Sequence, residues 1–62
     1  MIAVGIDVSK SKSTVAILNS DGSLRIKPYD MKHNHPEMNA LVNYLNELEE
    51  PIIILMEYTV AS

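Results

Sequence analysis

The sequence predicts a small α/β domain ordered β-β-β-α-β, with an antiparallel meander, then a helix, then a fourth strand parallel to the first. Three observations carry this expectation. Residues 2–29 contain three short stretches rich in alternating apolar residues, separated by polar turns. Residues 36–48 carry apolar side chains at helical spacing. Residues 51–58, "PIIILMEY", form an apolar, β-branched run too short for a typical helix.

Each element has its own reason. Ile2, Val4, Ile6 and Val8 alternate with Ala3, Gly5 and Asp7, which predicts a strand with one apolar face. The polar "SKSKS" at 9–13 predicts a turn, and "TVAILN" at 14–19 a second strand. "NSDGS" at 19–23 contains Asp-Gly, whose residues tolerate the positive φ of tight hairpin turns. In "LRIKPY" at 24–29, Leu24 and Ile26 alternate with Arg25 and Lys27, and Pro28 suggests a strand end or an edge. Residues 30–35 are polar and unpatterned. Pro36 suits a first helical turn, and Met38, Leu41, Val42, Leu45 and Leu48 then form one stripe of a helix ending before Pro51. The last run reads as a strand covered on both faces. A right-handed crossover would dock it parallel to the first strand, on the side the meander leaves free.

Composition narrows the function. A chain of 62 residues is one domain with a thin core, and it has no cysteine, so neither disulfides nor thiolate metal sites reinforce it. Carboxylate-bound metal and self-association remain. The net charge of −3 speaks against an autonomous nucleic-acid-binding module. Lys10, Lys12, Arg25, Lys27 and Lys32 are the basic residues, so the N-terminal hairpins are the one surface suited to a polyanion. No signal-peptide pattern and no apolar stretch of about 20 residues is present, which leads to the expectation of a soluble, cytoplasmic protein without membrane contact.

Asp7 is the residue that needs explaining, because the strand around it reads as buried and a buried acid is costly without a partner. In the expected topology Glu57 ends the strand beside it. Parallel neighbours lie about 4.8 Å apart, so both carboxylates would emerge at the carboxyl edge of the sheet, where open α/β sheets bind ligands. Two converging acids repel unless a cation lies between them or one is protonated. Mg²⁺ or Mn²⁺ suits such oxygen ligands and could support phosphodiester chemistry. The alternative is structural: Asp7 caps the following turn through the Ser9 or Lys10 amides, and Glu57 marks a solvated strand end.

"GIDVSKSKSTVAILNSDG", followed after a helix by "ILMEYT", resembles the N-terminal, RuvC-like domain of DEDD-type insertion-sequence transposases, a branch of the ribonuclease H superfamily. The resemblance covers residues 1–59 and implies a partial ribonuclease H-like fold. It also implies a four-acid, divalent-metal site for cutting and rejoining DNA, in which Asp7 and Glu57 match the first Asp and the Glu. The other two Asp residues lie in a part of the family domain outside this chain. In some members an element-encoded RNA guides target choice. The family continues Glu-x-Thr with Gly and an aromatic, whereas residues 60–62 read Val-Ala-Ser. That departure is read as a truncated tail, with no efficient catalysis expected from the fragment alone. Truncation would leave the last strand as an exposed apolar edge, so a homo-oligomer through that strand or the bare sheet face is expected.

Other features point less far. Lys10 and Lys12, in a turn with free amides, could contact nucleic-acid phosphate, or simply be solvated. His33 and His35 in "KHNHP" have no third metal ligand nearby and read as a solvated loop. Tyr58 is expected to pack on the sheet. Two further functions compete: the start of an actin-like or sugar-kinase ATPase, and a non-catalytic interaction module. Against the ATPase, "VSKSKS" lacks the glycine that lets backbone approach a phosphate.

Overall fold

The computed structural model describes residues 1–60. Of the three-residue tail at 60–62, Ala61 and Ser62 lie outside the described residues, and Val60 is exposed. The chain forms β1 (Ile2–Val8), β2 (Lys12–Leu18), β3 (Leu24–Lys32), α1 (His35–Glu47) and β4 (Ile52–Tyr58). The four strands make one sheet in the order β3-β2-β1-β4. β1 and β2 pair antiparallel, as do β2 and β3, while β4 lies parallel to β1. This is the α/β architecture expected from the sequence.

Two tight connections build the meander. Between β1 and β2 the Ser9 amide and hydroxyl both donate to the Lys12 carbonyl, at 2.9 and 2.7 Å. Between β2 and β3 the Asn19 and Gly22 amides donate to the Ser23 and Asn19 carbonyls, at 2.8 and 2.9 Å. Gly22 has φ of 89°, a conformation that a β-carbon would strain. Asp21 accepts from the Ser23 amide and hydroxyl, which holds its carboxyl below the usual range.

β3 runs three residues beyond the expected end, and Pro28 lies inside it rather than at its boundary. The register explains how. Val15 faces Tyr29 and Ile17 faces Ile26, so Lys27 and Pro28 together oppose the single residue Ala16. This is a β-bulge on an edge strand, where a missing N–H is tolerated. A second shift follows, with Leu18 facing Leu24. The simple alternation expected for Leu24 and Ile26 therefore fails: Ile26 packs against the core, whereas Leu24 is exposed.

α1 begins with a reciprocal cap. The Asn34 side chain accepts from the Glu37 amide at 3.0 Å, and Glu37 in turn accepts from the Lys32 amide and the Asn34 side chain, both at 3.1 Å. These donors hold the Glu37 carboxyl below its ordinary range. Pro36 occupies the first turn, and Glu49, at φ 52°, turns the chain beyond the helix end. Arg25 ties the helix to the hairpin by donating to the Tyr44 hydroxyl and the Asn19 side chain, each at 3.0 Å.

The core is Ile2, Val4, Val15, Ile17, Met31, Leu41 and Leu45. It lies between α1 and one face of the central strands. The helical stripe is narrower than its periodicity suggests, because Met38 and Val42 are 48% and 52% exposed. β4 departs more sharply. Instead of being covered on both faces, Ile53, Ile54, Leu55, Met56 and Tyr58 are all exposed, and Tyr58 does not pack down. α1 packs towards β3, so the β4 side of the same face stays bare. An apolar groove of about 380 Å³ remains there, lined in part by Met38, Leu41, Val42, Ile54 and Met56.

Candidate functional site

Asp7 and Glu57 are direct partners on the parallel ladder between β1 and β4. Partners in register share a face of the sheet, so the two carboxylates stand side by side on the face away from α1. Both are exposed. The premise of a buried acid is therefore corrected: Asp7 belongs to the odd-numbered face of β1, which no helix covers. A shallow trough lies in front of the pair, about 600 Å³ in volume and lined by Gly5, Thr14, Ala16, Pro28, Leu55 and both acids. Its floor is low because Gly5 and Ala16 carry almost no side chain.

The register extends the row of polar residues. Asp7 faces Thr14 on β2, and Thr14 faces Asp30 on β3. Asp30 has a partner of its own: the Lys12 ammonium lies 2.9 Å from its Oδ2, and the Thr14 hydroxyl makes a longer contact of 3.5 Å to Oδ1. The Lys12 hydrogen bond and charge hold the Asp30 carboxyl below the usual range. Lys12 is thereby committed to Asp30, while Lys10 is exposed at the turn.

Asp7 accepts a hydrogen bond of 2.6 Å at Oδ1 from the Thr59 hydroxyl. Among the described residues this bond replaces the expected cap from the Ser9 or Lys10 amides, since the Ser9 amide turns to Lys12 instead. Thr59 is the threonine of the Glu-x-Thr element. Strand periodicity could have found it, because residues 57 and 59 share a face. His33 lies in the exposed segment before α1, as expected, and its Nε2 is 2.8 Å from the hydroxyl of the buried Ser13, a contact that ties the end of β3 to β2.

The donor set suits a hard divalent cation: two carboxylates on one exposed face, with open space for bound waters. Among the described residues no three His, Cys, Asp or Glu side chains converge as a complete metal-binding group. The chain supplies a pair. No helix among the described residues is long and apolar enough to cross a membrane.

The mixed sheet, with two acids paired at the carboxyl ends of adjacent parallel strands, defines an open α/β domain with an acidic strand-end edge. Residues 4–62 match the IS110-type DEDD family of transposases, and the chain belongs to that family. No curated protein and no solved structure matches the chain.

Proposed function

We propose that this chain is the opening segment of a RuvC-like transposase catalytic domain, in which Asp7 and Glu57 are two ligands of a divalent cation, Mg²⁺ or Mn²⁺. The observation that carries the reading is the in-register pairing of the two acids on parallel strands. Bound metal would supply a Lewis acid at a DNA phosphodiester. The residues of this chain hold and orient it: β1 and β4 fix the spacing of the carboxylates, and the small side chains of Gly5 and Ala16 leave room for substrate. Of the two lysines near the β1–β2 turn, Lys10 is the one free to approach DNA phosphate, whereas Lys12 pairs with Asp30. In this reading Asp7 and Glu57 supply two of the four acids that the family resemblance implies.

The nucleotide-binding alternative is disfavoured by the β1–β2 turn. That turn has no glycine, and Ser9 directs both its amide and its hydroxyl to Lys12 rather than towards a phosphate. The interaction-module alternative gains some support from β4, an edge strand with apolar side chains exposed on both faces. We therefore extend the proposal to self-association of the isolated 62-residue chain through β4. Light scattering should give a dimer or larger species at tens of micromolar, and a stable monomer there would refute the extension.

The metal reading is tested by Mn²⁺ titration followed by water-proton relaxation. Wild type should bind at millimolar Mn²⁺ or below, and Asp7→Ala and Glu57→Ala should each lose that binding. Equal binding by wild type and both variants would place the metal elsewhere and overturn the reading.

A further inference from the structure

We propose that Thr59 is a positioning residue that fixes the Asp7 carboxylate through the hydrogen bond from its hydroxyl to Oδ1. The inference rests on the reading of Asp7 as a metal ligand and adds a second residue acting through it. The Thr59 amide donates to the Val8 carbonyl at 2.8 Å, carrying the β1–β4 ladder one residue past Tyr58. The backbone of Thr59 is thus held against the end of β1. Strand periodicity places its side chain on the face of Glu57 and Asp7. Threonine is branched at Cβ, so few side-chain rotamers are open to its hydroxyl.

Ionised Asp7 can only accept, and the 2.6 Å separation is typical of a hydroxyl donating to a carboxylate. Oδ2 has no protein donor among the described residues and stays available to a cation. Exposure makes the bond consequential. An exposed aspartate without a partner moves among staggered rotamers within nanoseconds. The tether from Thr59 selects one of them before metal arrives. Partners that orient metal ligands in this way typically contribute about 10- to 100-fold in metal affinity.

The test uses the 62-residue chain with Thr59→Val, which keeps the shape, and Thr59→Ser, which keeps the hydroxyl. Three-bond NMR couplings report the Asp7 χ1 rotamer without metal, and Mn²⁺ titration reports affinity. Wild type and Thr59→Ser should show one dominant Asp7 rotamer and similar affinity. Thr59→Val should show rotamer averaging and weaken Mn²⁺ about 10- to 100-fold. A single Asp7 rotamer in Thr59→Val, or undiminished Mn²⁺ affinity, would overturn the inference. If Thr59→Val lost amide dispersion, Thr59→Ala would take its place. Absence of Mn²⁺ binding in wild type would defeat the metal reading, and the rotamer comparison would still decide the role of Thr59.

Discussion

Replacing Leu41 and Val42 by alanine, one at a time, separates two neighbours on the same helical stripe. Leu41 is 9% exposed and packs in the core, whereas Val42 is 52% exposed and overhangs the bare side of the sheet. Truncating a buried leucine costs about 2–5 kcal/mol. Stability of about 0.05–0.15 kcal/mol per residue gives a 62-residue domain only about 3–9 kcal/mol in all. Leu41→Ala should therefore leave the domain marginal or unfolded. Val42→Ala removes two methyl-sized groups worth about 0.8 kcal/mol each when buried, so half exposure reduces the loss to about 0.8 kcal/mol. Alanine returns about 0.6 kcal/mol of helix propensity relative to valine. The net change should be a few tenths of a kcal/mol. Urea unfolding followed by circular dichroism, at a dilution where scattering shows a monomer, measures both. Equal losses would refute the conclusion that α1 covers only half the sheet face. A Val42→Ala loss that grows with protein concentration would instead report burial between copies.

Two further outcomes follow from the charges. Asp21, Asp30 and Glu37 all have carboxyls held below their ordinary values of 3.8, 3.8 and 4.5 by hydrogen bonds present only in the fold. Their contribution to stability is full above those ordinary values and is lost as pH falls through the lowered ones. The thermal midpoint should thus fall as pH drops below 4.5, and Glu37→Gln should flatten that dependence; an unchanged slope would contradict the cap geometry. Glu57→Gln removes one of two facing carboxylates while keeping its shape, so the metal-free domain should become slightly more stable at low salt and less distinguishable from wild type at high salt. Lower stability of the variant at low salt would mean that the pair does not repel.

The parts of this structure visible in the sequence are those set by local pattern. Alternation along β1, Asp-Gly in the hairpin and the crossover from α1 to β4 suffice to place Glu57 beside Asp7. The β3 bulge was hidden, because period-two reasoning assumes an unbroken ladder; Pro28 does mark an edge strand, one of its two expected roles, but it does not reveal the extra residue beside it. Exposure of β4 was hidden for a different reason. A β-branched run reports strand propensity, but its burial depends on where α1 lies across the sheet, which a helical stripe does not specify. The same gap made Asp7 look buried. The Thr59 bond requires the ladder to continue past Tyr58, a detail of register rather than of composition.

Paramagnetic broadening of backbone amide signals by substoichiometric Mn²⁺ reports where an ion sits on the chain. If Asp7 and Glu57 jointly hold a divalent cation at the carboxyl ends of β1 and β4, early, saturable broadening should centre on residues 7, 57 and 59 and be abolished in Asp7→Ala. Broadening centred on Asp30, or on Glu49 and Glu50, with residues 7 and 57 unaffected, would contradict that shared site.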